Sequence, residues 1–476
     1  MSEYLRDYDF TEPLDELWEI FPDDTWSFTP TPGQARLENR ADSPAEVYLR
    51  PCAMPGDRVE LRLTSGTSRR GRFVFGFLTG FEHIRFEIDL DSGDVAAHTH
   101  EYHKAQPRLA TTVNARFDSI TLVTEVDSLP GLPFDGWRVA VLLDNKQVAE
   151  VGQIDFLPES HCFFGFDGPG ELTLASWSIA GGPRPRPEYV NVGVWQHRRP
   201  NTHDSVDSLI RGVRLAAEAG VEILATAETS LTGLRDTDPE LDDSELIRSE
   251  LDRFCRAVAA TPGAPYTLIG YPDWISGDTV EGATLEHVKI NRHVFVRPNG
   301  TLGPPMAKVH SCERGMWHGR HYNLQRVCGV EVAVGVCHDA RYQDVWATGV
   351  MGGARLCIHA AAVGTPKGRI DDIRLSNTIA HEFGMGAFWM HVNSDGGSAI
   401  YYPQTTAKMK ERIIVATQDI TAENPSYPDY SPMDDQLAHS RIRLYDASGC
   451  YPLRTLRAGT DAYNTWSSLI PDIVDV

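Results

Sequence analysis

Three side chains in this sequence have the types and settings of a nucleophile and its partners in covalent catalysis: Glu228, Lys308 and Cys337. Cys337 ends the apolar run Val330–Glu331–Val332–Ala333–Val334–Gly335–Val336, and His338, Asp339 and Arg341 follow at once. The stretch Tyr342 to Gly352 then reads as a helix. A thiol at the carboxyl end of a buried strand, on the turn into a helix, is where an α/β protein presents a nucleophile. A helix N-terminus favours the thiolate, and backbone N–H groups there can hold an oxyanion. Glu228 ends the apolar run Val221 to Ala227, and Lys308 follows the hairpin-like stretch Arg292 to Ala307. An acid, a lysine and a cysteine, each at a strand end, form one catalytic hypothesis.

Each residue also has a plainer reading. A cysteine after a buried strand is commonly a small core residue. Cys357, inside the strand-like run Ala354 to Ile358 with no acid or lysine motif attached, is read that way. Glu228 alone could cap a turn, and Lys308 alone could be a solvated surface lysine. His98, His100 and His103 suggest metal ligands, since His98 and His100 would share one face of a strand; a polar strand edge or loop is the preferred reading. Trp317, His318 and Tyr322 fall in a loop that would overhang the site, as substrate contacts or as packing.

The elements that must position these residues fall into two patterns. Arg58 to Thr64, Gly71 to Phe77, His83 to Leu90, Ser119 to Val126, Trp137 to Leu142 and Glu171 to Ile179 read as strands. Turn signals such as Asp91–Ser92–Gly93 and Asp144–Asn145 separate them, so residues 1–182 are expected to form an antiparallel β-sandwich. The Pro-rich segment 183–188 marks a boundary. Beyond it strands and helices alternate: Tyr189 to Gln196, then an amphipathic helix from Asp204 to Ala219, a strand from Val221 to Ala227 and a helix from Ser244 to Ala260. Sites in such α/β segments belong at strand carboxyl ends. Residues 421–476 read as an arm or tail, with a loop over Thr421 to Asp435 and an isolated strand-like stretch, Ser440 to Tyr445.

A chain of 476 residues favours two domains, and its 41% hydrophobic and 23% charged composition is that of a globular protein. A formal charge of -22 argues against nucleic acid or an anionic membrane as partner. No run approaches the ~20 apolar residues of a membrane span. Met1 to Phe10 lacks the basic-then-apolar order of a signal peptide, and the 8 cysteines include no CxxC pair. The expectation is a cytoplasmic protein with reduced thiols.

Several segments, in order, resemble the carbon–nitrogen hydrolase (nitrilase) superfamily over about 189–420. Leu224 to Gly233 is similar to its first-glutamate motif, Met306 to His310 to its lysine motif, and Val336 to Arg341 to its nucleophile motif. Ile269 to Pro272, Asn291 to Gly300, Gly352 to Leu356 and Val392 to Ser398 agree with further blocks. The resemblance implies an α-β-β-α four-layer sandwich and a thioester formed on Cys337. Glu228 would carry protons, and Lys308 with the backbone N–H of His338 would hold the oxyanion. Glu313, the only carboxylate shortly after Lys308, would be a second glutamate that positions substrate and water, and His338 and Trp317 would contact substrate. Ala227 stands where proline is usual, and Ser311–Cys312 where leucine is usual. His338 replaces the tryptophan of true nitrilases, which favours an amide or N-carbamoyl substrate over a nitrile. The family implies no metal or organic cofactor, and a homodimer or larger homo-oligomer. The first segment is similar to concanavalin-type (jelly-roll) sandwiches through Gly136 to Gln147 and Phe163 to Ile179. Two other functions fit the same residues: acyl transfer from the thioester, or a lectin-like binding protein with the hydrolase part as scaffold.

Overall fold

The computed structural model describes residues 4–8, 18–21, 26–53, 56–65, 67–79, 82–101, 104–112, 117–128, 135–154, 160–181, 187–197, 201–232, 239–277, 285–312, 315–319, 322–362, 387–394, 396–403, 413–417, 435–444 and 473–476. Its contacts cluster into two units that divide between residues 185 and 186, the second taking in the last residues of the chain.

Among the described residues the first unit has two antiparallel sheets, of eight and seven strands. The middle strands of the larger sheet are Ser119–Ser128, Arg58–Leu63 and Gly170–Gly181, and those of the smaller are Glu82–Asp89, Arg72–Thr79 and Ser160–Phe166. Alternation puts Val59, Leu61, Ile120, Leu122, Leu172 and Leu174 of one sheet into a common core with Phe73, Phe75, Phe77, Ile84, Phe86 and Phe164 of the other. The turn at Asp144–Asn145 has both residues in the left-handed region, φ 46° and 66°, which suits the twist of a two-residue hairpin. Strands Asp94–Glu101 and Lys104–Thr112, and those preceding residue 58, add to the expected set.

The second unit begins with β1 (Tyr189–Gln196), α1 (Thr202–Glu218), β2 (Ile223–Thr226), α2 (Ser244–Ala259), β3 (Tyr266–Ser276) and β4 (His287–Val296). The short β5 (Met306–Ala307) and β6 (Met316–Trp317) follow, then β7 (Asn323–Val327), β8 (Val330–Val336) and α3 (Gln343–Met351). The chain continues through β9 (Leu356–Ala361), β10 (Phe388–Asn393), β11 (Ala399–Tyr401), β12 (Ile413–Ala416), β13 (Gln436–Arg443) and β14 (Val474–Asp475). One sheet runs β5-β4-β3-β2-β1-β13, with β6 also on β4, and the other β12-β11-β10-β9-β8-β7-β14.

The two sheets face one another. Val192, Val194, Ile223, Ala225 and Leu268 of the first share a core with Val330, Val332, Val334, Ile358 and Met390 of the second. The outer face of the first sheet packs under α1 and α2 through Leu224, Ile269, Leu209, Val213 and Phe254. That of the second packs under α3 through Ala333, Cys357, Val345 and Trp346. Strands covered on both faces need apolar residues at every position, which is why the runs before Glu228 and Cys337 do not alternate. The helices start where side chains replace missing intrahelical acceptors: Asn201 Oδ1 takes the Asp204 N–H at 2.8 Å, and Asp243 Oδ1 the Leu246 N–H at 2.9 Å.

The stretch read as an isolated strand in a tail belongs to β13, which pairs antiparallel with β1 from Tyr189↔Arg443 to Gln196↔Gln436. β14 adds in parallel to β7. Both sheets therefore take an edge strand from residues beyond 420. Edge pairing carries little sequence signal, because one face and one ladder suffice to hold such a strand.

Gly335 lies in β8, and a Cβ there would overlap the Trp346 ring of α3. Gly335→Ala should lower stability by about 1–3 kcal/mol through overpacking, read as a lowered thermal midpoint. An unchanged midpoint would contradict the packing of α3 on β8.

Candidate active site

β2 and β3 run parallel, β4 returns antiparallel, and β5 is antiparallel to β4. The carboxyl ends of β2 and β5 therefore lie on the same edge of the sheet, and Glu228 and Lys308 follow those two ends. The turn carrying Glu228 is fixed from below. Thr226 Oγ1 donates to the Leu268 carbonyl at 2.6 Å and lies 2.6 Å from Ser230 Oγ, from which it can accept, and Ser230 Oγ accepts the Gly270 N–H at 3.0 Å. The Leu231 N–H donates to the Gly270 carbonyl at 3.0 Å. Thr229 takes φ 49°, an uncommon conformation for a β-branched residue and a mark of a turn held by its surroundings. Gly270 is required here, since a Cβ would come within 2.8 Å of the Thr229 nitrogen.

Lys308 is fully buried and Glu228 nearly so. Lys308 Nζ donates to Glu228 Oε1 at 2.9 Å, and Asn291 Nδ2 donates to the same oxygen at 2.8 Å. The carbonyl of Asn291 in turn accepts the Lys308 N–H at 2.9 Å. Asn291 thus aligns both partners, one through its side chain and one through its backbone. Its place in a matched strand gave it no role in the sequence reading. The same strand also carries Lys289, Arg292 and the buried His293, so no local signal singles Asn291 out.

Cys337 follows β8 with φ 43°, in the left-handed region, and is half-buried. It opens a one-turn 3-10 helix, Cys337–Arg341, and the extended Tyr342 separates that turn from α3. The expected helix is present, but the thiol sits on the preceding turn rather than at the helix start.

The buried Asp339 carboxylate ties this turn to the lysine loop. Its Oδ2 accepts the Val336 N–H at 3.0 Å and the Val309 N–H at 3.2 Å, and its Oδ1 accepts the His310 N–H at 2.7 Å. One oxygen therefore holds the residue before Cys337 and the residue after Lys308. Burial pushes the Asp339 carboxyl up, opposed by these three N–H groups and by the charge of Lys308.

Beside the turn, the His310 ring stacks on Tyr342 with centroids 3.8 Å apart, and His310 Nε2 lies 3.0 Å from Asp344 Oδ2. Tyr322 Oη donates to that oxygen at 2.8 Å. The Asp344 carboxyl is held below its usual range: burial opposes this, but the bonds from Tyr322 and His310 outweigh it. His338 lies edge-on to Tyr342, with its Nε2 3.4 Å from the Tyr342 hydroxyl. His318 Nδ1 accepts the Ser311 N–H at 3.0 Å, and the half-buried Trp317 pairs through β6 with Ile290 of β4.

Glu313 and His103 lie outside the described residues, as does the side chain of His100. His98 sits in a strand of the first unit, its Nε2 3.6 Å from Glu87 Oε2. Among the described residues no three His, Cys, Asp or Glu side chains group as a metal site would need. Among them, too, no helix is long and apolar enough to cross a membrane. Cys357 is buried in β9, where burial pushes its thiol up to about 12.

No family model matches the sequence, and no curated protein sequence does. Among solved structures the chain is similar to an amidase from Nesterenkonia sp. AN1. A variant of that amidase showing covalent addition of the acetamide moiety of fluoroacetamide at its active-site cysteine is 14% identical, with a TM-score of 0.43 over 56% of this chain and 94% of that chain. A variant in complex with butyramide is 15% identical, with a TM-score of 0.43 over 58% of this chain and 97% of that one. Another, described as an amidase from the nitrilase superfamily, is 16% identical, with a TM-score of 0.42 over 60% of this chain and 98% of that chain.

Two outcomes follow from the geometry. Asp339→Asn presents an amide NH₂ to backbone N–H donors, leaving at least one of them unsatisfied at about 1–3 kcal/mol. It should lower the thermal midpoint and slow alkylation of Cys337; unchanged alkylation would mean that Asp339 does not hold the turn. In peptide-mapped labelling with iodoacetamide at neutral pH, Cys337 should react while buried Cys357 stays unmodified. Labelling of Cys357 before Cys337 would contradict the site.

Proposed function

We propose that the second unit is a thiol-dependent hydrolase of non-peptide carbon–nitrogen bonds, of the nitrilase superfamily, acting on an amide or N-carbamoyl substrate. The observation that carries this reading is the buried Glu228–Lys308 pair, tied by Asp339 to the turn of Cys337. A fully buried ammonium is costly, and such arrangements persist chiefly where they do chemistry.

The residues divide the reaction as follows. Cys337 Sγ forms a bond to the carbonyl carbon while Glu228 takes the thiol proton, and the C=O π pair moves onto oxygen. Lys308 and the His338 backbone N–H stabilise that oxyanion. When the C–N bond breaks, Glu228 delivers the proton to the leaving amine. Glu228 then activates the water that cleaves the thioester and releases the acid and Cys337.

In this reading Glu313 is the second glutamate that positions substrate and water, and Trp317 and His338 contact substrate. His338 after the nucleophile favours amides and carbamoyl groups over nitriles. The protein itself supplies nucleophile, proton carrier and positive charge, so the reaction calls on no cofactor. Residues 1–182 are a concanavalin-like domain, and the enzyme works as a homodimer or larger homo-oligomer.

Ammonia or amine release from a panel of amides, ureas and carbamoyl amino acids tests the reading. Cys337→Ala should lose several orders of magnitude of turnover with its fold intact. Lys308→Ala should lose about 10²–10³ in rate, and Glu228→Gln should be inactive because an amide cannot cycle a proton. Breaking the buried pair costs about 3–5 kcal/mol, so folding of both variants is checked by circular dichroism. A Cys337→Ala protein that turns over near the wild-type rate would sink the assignment.

A further inference from the structure

Two buried histidines behind the nucleophile have no part in the chemistry above. His359 in β9 and His391 in β10 are paired in register across adjacent parallel strands, and both are fully buried. His359 Nε2 lies 3.0 Å from the carbonyl oxygen of Cys337, and its Nδ1 lies 3.0 Å from Nδ1 of His391. Trp346 and Trp389 stand against the His359 ring, at centroid distances of 5.9 and 6.4 Å.

Chemistry fixes the protons along this chain. A carbonyl oxygen can only accept, so His359 Nε2 carries the hydrogen. In a neutral ring Nδ1 of His359 is then an acceptor, and the hydrogen between the two rings belongs to His391 Nδ1. Nε2 of His391 is left as a bare acceptor, and it has no hydrogen-bond partner among the described residues. Burial, with the neighbouring His359 second, pushes His391 well below its ordinary range, in keeping with a neutral His391 ring.

The Cys337 carbonyl belongs to the same peptide unit as the His338 N–H. A trans peptide is planar, and its C=O and N–H point in opposite directions. Holding the oxygen against β9 therefore fixes the direction of the His338 N–H on the opposite side. This matters because Cys337 sits at φ 43°, where a non-glycine backbone needs outside support. A donor on the carbonyl also polarises the peptide and strengthens its N–H as a donor, and a second donor behind the first adds to this.

We propose that His359, held in one tautomer by His391, is a positioning residue that aims and polarises the Cys337–His338 peptide for oxyanion binding. This rests on the reading of Cys337 as the nucleophile.

The test compares two reactions of the same thiol in the full-length protein. Iodoacetamide needs no oxyanion donor: the S–C bond forms, iodide leaves and the thiol proton is lost. Butyraldehyde needs one: the S–C bond forms, the C=O π pair moves to oxygen, and the thiol proton passes to that oxygen, giving a hemithioacetal. Butyraldehyde should protect wild-type Cys337 from iodoacetamide. In His359→Leu the aldehyde concentration for half-protection should rise by about tenfold or more, a fraction of the loss expected for removing an oxyanion donor outright. The unprotected iodoacetamide rate should stay within about twofold, the expectation for a thiol whose own environment is intact. His359→Gln, whose Nε2 can still donate to the carbonyl, should recover most of the protection. His391→Leu should give an intermediate loss, and it carries the test alone if His359→Leu does not fold.

Unaltered protection in His359→Leu, or in His391→Leu where that variant stands in, would overturn the proposal. So would an equal fall in both reactions, since that is damage to the thiol rather than to oxyanion binding. A wild-type Cys337 that is not alkylated, or is alkylated without aldehyde protection, would overturn the nucleophile reading, and this proposal with it.

Discussion

A lysine ammonium with no exposure to solvent is met in this fold by the Glu228 carboxylate at 2.9 Å. Taking either charge out of water alone costs several kcal/mol, so the pair has to be assembled together and held together. Much of the first sheet serves that end. β2 and β5 deliver the two residues to one edge, Asn291 between them bonds to both, and Gly270 leaves room for the Glu228 turn. The hydrophobic core fixes the strands, and the strand ends fix the charges.

The second sheet joins this arrangement through Asp339. Its carboxylate takes N–H groups from the lysine loop and from the end of β8, so a shift of either sheet would strip a buried anion of its donors. A contact of this type sets position more than it adds stability, because burial disfavours the charged form that makes the best acceptor. The left-handed backbone at Thr229 and at Cys337 marks a strained turn beside each of the two strand ends that carry the candidate residues.

Glu228 and Cys337 stood out as candidates because each follows a largely apolar run, the mark of a strand covered on both faces, and Lys308 because it closes a hairpin-like stretch. The order of acid, lysine and cysteine along the chain added what no single residue could. The supports were not legible. Asp339 bonds to residues 29 and 30 positions earlier, and His359 reaches the Cys337 carbonyl from 22 positions later, so neither contact has a local pattern. Asn291 was passed over because matching a strand says nothing of which face a side chain takes. In the first unit the strands rich in Val, Ile and Phe stood out, whereas Asp94–Glu101 and Lys104–Thr112 did not, their residues being more polar. Of the edge strands, β13 was read only in part and as an isolated strand, and β14 not at all, because pairing along one side leaves composition nearly unconstrained.

The central claim is that Cys337 becomes acylated. Acid-quenched mass spectrometry during turnover of the best amide or carbamoyl substrate tests it most directly. The account predicts an acyl adduct on the peptide containing Cys337, absent from Cys337→Ala and discharged by hydroxylamine as a thioester would be. Steady turnover with the adduct on another residue, or an adduct that persists in Cys337→Ala, would contradict it.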